Sequence, residues 1–276
     1  MLTAAAPADV DLASWHRDGY AIVRGLIPPA EVAALIAAAM AQAARGPLPG
    51  LWDEDYSRRH PVADDPLARH PRLLQVHRHS DQPIGPMARR WLLHPRIESV
   101  VSALFGEPAF AAQSMVYFKP PGARGQALHQ DNFYLSVMPG TCIAAWMALD
   151  RADAANGGLA VVPGSHRLDL ICPEAADLAQ SFVAERTPVP AGLAPVQLEL
   201  DPGDVLFFNG QTIHGSTPNS TADRWRRSLI CHYLPRSSTA INRWYLPLLD
   251  FSGGEHRIAT SAAGGPCGSP LADQPH

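Results

Sequence analysis

Lysine is almost missing from this sequence: Lys119 is the only one among 22 basic residues in a chain of 276, the rest being arginine. The skew itself reads as compositional bias, with no function attached. An excess of positive charge is also missing, since the formal net charge is −4. That excludes an electrostatic footprint for nucleic acid or an anionic membrane surface. Long apolar runs are absent; the longest, around Val32 to Ala44, is too short to cross a bilayer and reads as a helix. The four cysteines, Cys142, Cys172, Cys231 and Cys267, lie far apart, with none of the close spacings of a structural zinc site or redox pair. The opening residues show no basic leader followed by an apolar block, so no signal peptide is expected. These absences predict a soluble cytoplasmic protein with reduced thiols.

What is present points to a folded, β-rich chain. Hydrophobic residues make up 46% and charged residues 17%, enough to bury a sizeable core and incompatible with overall disorder. With 27 prolines and 21 glycines, long uninterrupted helices are disfavoured. Near the start, Tyr20, Ile22 and Arg24 alternate with Ala21 and Val23 like a short strand, and Pro28 and Pro29 then open an Ala-rich helix to about Ala44. Residues 46–80 carry Pro, Asp, Arg and His without periodicity and read as a long loop or lid. From Met87 to Phe105 helical spacing returns, with Pro95 starting a second helix and Gly106 stopping it.

After Gly106 come seven short apolar runs punctuated by Gly and Pro: AFAAQSMVYFKPPG, QALHQDNFYLSVMPG, TCIAAWMALD, GGLAVVPGSH, PVQLELDPGD, VLFFNGQTIHG and RRSLICHYLP. They predict a double-layered antiparallel jelly roll or barrel with the helices packed on one sheet. The expected organisation is one domain over 1–251, helical over 1–106 and jelly roll over 107–236, with an insertion at 168–195 and a Gly/Ser/Pro-rich tail at 252–276.

Chemistry concentrates in ALHQDNFYL. On a strand His129 and Asp131 would share a face, and an imidazole beside a carboxylate supplies two members of the facial triad that holds non-haem Fe(II) with open positions. His214, after the DVLFFNG run, could reach them by antiparallel pairing as the third ligand. Twelve residues later Arg226 opens a strand that could pair with the one bearing His214, and its planar guanidinium suits a carboxylate. Arg227 is its rival, because a one-residue register change exchanges the two faces. His60, His70, His77, His79 and His94 lie in Arg- and Pro-rich segments and are expected to be solvated. His166 belongs to a turn, and His232, sharing Arg226's parity, is a supporting or core group.

In order along most of the chain, KPPG, HQD, AAWMALD, NGGLAVVPGSH, DPGD, IHGSTPN and RRSLICHY resemble the phytanoyl-CoA dioxygenase family of Fe(II)/2-oxoglutarate oxygenases. The resemblance implies a double-stranded β-helix of cupin-like type with N-terminal helices. It implies iron ligands at His129, Asp131 and His214, with Arg226 holding the distal carboxylate of 2-oxoglutarate. Ser216 would assist Arg226, and Gln113 and Trp146 would line the cosubstrate pocket. The cofactors implied are Fe(II), 2-oxoglutarate and O₂. The reaction implied is hydroxylation of an unactivated C–H bond, or a related desaturation or ring-forming oxidation, with release of succinate and CO₂. Because Asp131 is present, halogenation is disfavoured. The expected partner is a small polar or secondary metabolite, with neither nucleic acid nor membrane. The alternatives are an acyl-CoA hydroxylase of the same family, for which the arginines at 58, 59, 69, 72, 78, 89 and 90 could supply a basic patch, a cupin-like metal isomerase, and a non-catalytic binding protein.

Overall fold

The computed structural model describes residues 10–53 and 64–261. Its helices are α1 (Leu12–Asp18), α2 (Pro29–Ala43), the single turn α3 (Pro66–Arg69), α4 (Gly85–Leu92), α5 (Pro95–Phe105) and the short α6 (Asn132–Leu135). The punctuation is that of the sequence. Asp11 caps α1 by accepting from the Ser14 N–H, α2 and α5 begin with proline, and Gly106 closes α5 in the left-handed conformation that a side chain would disfavour.

The strands are β1 (Tyr20–Val23), β2 (Ala109–Tyr117), β3 (Gln126–His129), β4 (Ile143–Ala148), β5 (Leu159–Val161), β6 (Glu174–Ala175), β7 (Glu185–Arg186), β8 (Val196–Gln197), β9 (Val205–Asn209), β10 (His214–Ser216), β11 (Ser228–Pro235), β12 (Ala240–Ile241), β13 (Leu248–Leu249), β14 (Glu255–His256) and β15 (Ala259–Thr260). A seven-stranded antiparallel sheet has the order β1-β9-β4-β11-β2-β13-β14, and a four-stranded antiparallel sheet the order β3-β10-β5-β8. The protein is thus mainly β, with few helices.

Strand parity separates the two faces of the large sheet. From the large sheet, Ile143, Ala145, Met147, Val205, Phe207, Leu229, Cys231 and Tyr233 pack against Val32, Leu35, Trp91, Leu92, Ile97 and Val101 of the helices. Their alternates Ala144, Trp146, Ala148, Leu206, Phe208 and Ile230 pack with Leu159 and Val161 of the small sheet. Both faces of β4, β9 and β11 are therefore buried, which is why these strands read as continuous apolar runs with no alternation. Phe207 and Leu35 have no measurable exposure, and burying a side chain of this size contributes about 2–3 kcal/mol.

Several local expectations change. The VLFFNGQTIHG run is two strands, because the chain leaves the large sheet after Asn209 and enters the small one at His214. Arg226 precedes β11, which pairs with β2 and β4 of the large sheet and not with the strand bearing His214. Of residues 46–80, 54–63 lie outside the described residues; the rest is ordered, with Leu73 paired to Val116 and bridged to Trp52. Residues 255–256 and 259–260 pair with β13 and β12, so this part of the expected tail is integrated, and the remainder from 262 lies outside the described residues. Cys142 and Cys231 are free, whereas Cys172 is disulfide-bonded, contrary to the reduced-thiol expectation. Among the described residues no helix is long and apolar enough to cross a membrane.

Candidate metal centre

His129 is the last residue of β3 and His214 the first of β10, and the two stand directly opposite each other in the antiparallel register. Asp131 is not on the strand as the spacing suggested. Its backbone is helical, at φ −60° and ψ −36°, as the chain turns into α6. That turn swings the carboxylate back over the strand end. Asp131 Oδ1 lies 3.5 Å from His129 Nε2 and 3.6 Å from His214 Nε2. Their ligand atoms all fall within 4.8 Å of one another, the one such cluster of three among the described residues.

The surroundings fix which atom each residue offers. His129 Nδ1 sits 2.9 Å from the Ala127 carbonyl and His214 Nδ1 3.0 Å from that of Thr212. A carbonyl can only accept, so each Nδ1 carries the proton and each Nε2 is left as an acceptor beside the cluster, that of His129 receiving the Gln126 side-chain amide at 3.2 Å. Burial, reinforced by the neighbouring His129, lowers the His214 pKa to about 4, which keeps the ring neutral as a metal ligand requires. His232 Nε2 donates to Asp131 Oδ2 at 3.0 Å, leaving Oδ1 as the oxygen that faces the histidines. Burial alone would raise the Asp131 carboxyl pKa. The facing His214 and His232, with the hydrogen bond from His232, hold it well below the usual range. A buried carboxylate with two neutral imidazoles on one side is the donor chemistry of a 2-His-1-carboxylate metal site, and the residues fit an iron ion.

These groups open into a cavity lined by Met115, Tyr117, Trp146, Leu159, Phe208 and Ile230 on its apolar side and by Gln126, Ser216, Arg226 and His232 on its polar side. Arg226 is buried and 5.5 Å over the Trp146 ring. Its Nε donates to the Gly157 carbonyl at 3.1 Å and its Nη1 to Ser228 Oγ at 3.1 Å. Burial lowers its pKa to about 10. Arg227 points the other way and grips Asp150 through Nε and Nη2, both at 2.8 Å. The structure thus brings Arg226, Ser216 and Trp146 to one cavity with His129, Asp131 and His214. Gln113 is buried opposite His232 across the β2–β11 pair and is not among the cavity-lining residues.

Sequence reasoning missed or left open several site residues. His232 was given no definite role. Lys119, in the KPPG turn, is 2% exposed and donates to Ser216 Oγ at 2.8 Å. The insertion had no assigned role, yet Pro173, Glu185, Arg186 and Thr187 join His129, Phe133 and Tyr134 around a second cavity beside the metal cluster. Of the histidines expected in solvent, His60 lies outside the described residues and His77 is buried, its Nδ1 2.8 Å from Ser114 Oγ.

Fold and site together define a scaffold for a mononuclear metal bound by two histidines and a carboxylate. Comparison with known proteins is specific. The phytanoyl-CoA dioxygenase family model matches residues 15–228, so the chain belongs to the phytanoyl-CoA dioxygenase family. It is 30% identical over 159 residues to phytanoyl-CoA dioxygenase 1 of Oryza sativa subsp. japonica, covering 56% of this chain and 57% of that one. It is 31% identical over 148 residues to methylphosphonate hydroxylase of Gimesia maris, covering 52% and 53%. The chain thus spans about half the length of the curated relatives it matches. Among solved structures it is similar to the epimerase SnoN, determined with Fe³⁺, alpha-ketoglutarate and nogalamycin RO, with 25% identity, a TM-score of 0.64 and 83% of each chain covered.

Proposed function

We propose that this protein is an Fe(II)- and 2-oxoglutarate-dependent dioxygenase on a double-stranded β-helix, hydroxylating an unactivated C–H bond of a small polar or secondary metabolite. The observation that carries the reading is the clustering of three donors: His129 Nε2, His214 Nε2 and Asp131 Oδ1 lie within 4.8 Å of one another, with both Nδ1 atoms and Asp131 Oδ2 held by other partners. An iron held there would couple oxidative decarboxylation of 2-oxoglutarate, to succinate and CO₂, to oxidation of the substrate. Arg226, in the same cavity, supplies a buried guanidinium for the distal carboxylate of the cosubstrate, and Ser216 a hydroxyl beside it. Trp146, Leu159, Phe208 and Ile230 exclude water from the reacting groups. The carboxylate of Asp131 fills the position that a halogenating site would have to vacate, which supports hydroxylation.

For the substrate, the residues beside the metal cluster combine aromatic Phe133 and Tyr134 with charged Glu185 and Arg186, groups that would favour a polar partner. Of the seven arginines considered for a CoA phosphate patch, Arg58 and Arg59 lie outside the described residues and four are engaged singly: Arg72 with Asp53 and Tyr117, Arg90 with Glu31, Arg78 with the Leu246 carbonyl and Arg89 with that of Gly253. This supports the small-metabolite reading over acyl-CoA.

The test is anaerobic addition of Fe(II) and 2-oxoglutarate to the metal-free protein. A visible metal-to-ligand charge-transfer band is expected in the wild type and should be lost in Asp131→Ala and His214→Ala. A folded wild-type protein without the band refutes the assignment. Succinate release across a panel of polar metabolites then identifies the substrate by its acceleration of turnover.

A further inference from the structure

Lys119 is a lysine with every ammonium hydrogen engaged and no carboxylate to balance it. Nζ donates to the Thr217 carbonyl at 2.7 Å, to Ser216 Oγ at 2.8 Å and to the Gly157 carbonyl at 3.1 Å. The Gly157 carbonyl is also the acceptor for Arg226 Nε, and the Arg226 backbone N–H donates to the Lys119 carbonyl at 3.0 Å. Two buried basic groups thus share one acceptor. Among the described residues neither forms an ion pair. Burying charge without a counter-ion costs several kcal/mol. Burial, and then the charge of Arg226, accordingly disfavours the ammonium form of Lys119, and an anion seated against the pair would restore it.

Ser216 links this pair to the cavity. Its Oγ accepts from Lys119 Nζ and, at 3.3 Å, from the Gln126 backbone N–H. A hydroxyl has two lone pairs and one proton. With both lone pairs occupied, its remaining capacity is donation, and Ser216 lines the cavity together with Arg226. The surrounding backbone is shaped for the arrangement. Gly157 has φ +72°, and a Cβ there would meet the Thr217 carbonyl oxygen at 2.4 Å and Lys119 Nζ at 2.8 Å.

We propose that Lys119 is a positioning residue for the distal carboxylate of 2-oxoglutarate: it fixes Ser216 as a pure donor and adds a second positive group beside Arg226. This rests on the reading of Arg226 and Ser216 as the cosubstrate anchor. The site would accordingly discriminate strongly between a 2-oxo acid with a distal carboxylate and one without.

The experiment compares anaerobic dissociation constants of 2-oxoglutarate and 2-oxobutyrate, which keeps the chelating end and lacks the distal carboxylate, on Fe(II)-loaded protein. The 2-oxobutyrate constant divided by the 2-oxoglutarate constant cancels general damage to the site. Lys119→Met is expected to lower the ratio by about tenfold to about a hundredfold, the range of a hydrogen bond to a charged group. Fe(II) affinity should stay within about threefold by calorimetry. Combining it with Ser216→Ala should give less than the product of the two single effects, because Lys119 acts through that hydroxyl. If Lys119→Met does not fold, Lys119→Gln, which keeps donors and drops the charge, provides the same ratio and should lower it several-fold. An unchanged ratio in a folded variant, or fully multiplicative effects, overturns the proposal. A wild type that binds both acids equally, or an Arg226→Met variant with the wild-type ratio, instead overturns the anchor reading beneath it.

Discussion

Adjacent arginines with opposite surroundings make the sharpest test of the anchor. Arg226 is buried in the cavity, donating to the Gly157 carbonyl and Ser228 Oγ. Arg227 is bound to Asp150 on the other side of the strand entry, with side chains 16% and 18% exposed. On the proposed reading, replacing Arg226 with Met removes the charged, buried group that would hold the cosubstrate carboxylate. Charge-assisted hydrogen bonds contribute about 1.5–3 kcal/mol each, so a loss of about 2–4 kcal/mol is expected, or about 30-fold to about 1,000-fold in the 2-oxoglutarate dissociation constant. Replacing Arg227 with Met removes a partly screened ion pair; its expected cost is up to about 1 kcal/mol of folding stability, with cosubstrate affinity changed by less than about twofold. The assay is anaerobic titration of Fe(II)-loaded protein with 2-oxoglutarate, read on the charge-transfer band, with urea unfolding for stability. The reasoning is refuted if Arg227→Met weakens binding as much as Arg226→Met, or if Arg226→Met binds as the wild type does.

Three further outcomes are expected. Replacing His232 with Leu leaves Asp131 Oδ2 without its donor and should weaken Fe(II) binding by about 10- to 100-fold, with His232→Gln less affected; calorimetric metal titration separates the two, and equal wild-type affinity in both would refute the role. Gly157→Ala should lower both the melting temperature and 2-oxoglutarate affinity, because its Cβ meets the Thr217 carbonyl oxygen and Lys119 Nζ; an unperturbed variant would show that this loop yields freely. Burial lowers the His77 pKa to about 3, so the folded state resists a proton that the unfolded chain takes up near 6.5. Its contribution to stability is therefore complete above pH 6.5 and is lost as the pH falls toward 3. At pH 4.5 the loss is about 2–3 kcal/mol relative to neutrality, and urea unfolding of His77→Leu should show a correspondingly flatter pH dependence.

The fold was legible wherever periodicity and punctuation agreed. The helices α2 and α5 begin at the prolines and, for α5, end at the glycine read from the sequence, and each of the seven apolar runs contains a strand. Pairing was less legible. Nothing local in VLFFNGQTIHG says that the chain changes sheets between Asn209 and His214, because both halves are apolar and both are buried. For the same reason Arg226 could be assigned to the strand before it was clear which sheet that strand joins. Contacts between sheets are non-local, and strand period carries no information about them.

The site shows the same division in finer form. The spacing of His129 and Asp131 was informative although the backbone behind it was not the one inferred: a turn beginning at the strand end brings the second side chain back as effectively as one more strand residue would. Lys119 drew no role from composition alone, but parity along SMVYFK contained a usable signal. Met115 and Tyr117 line the cavity, and a lysine two residues further on, in the turn just after the strand, is buried against Ser216 of the same cavity and has to have its hydrogen bonds satisfied. Parity likewise carries Arg226, Ile230 and His232 onto the cavity side, His232 being the partner of Asp131. In this chain the helix-side alternates of the same strands, Leu229, Cys231 and Tyr233, bear on stability. Substitutions there should lower the melting temperature while leaving the 2-oxoglutarate/2-oxobutyrate ratio intact, and substitutions one residue away should change that ratio first.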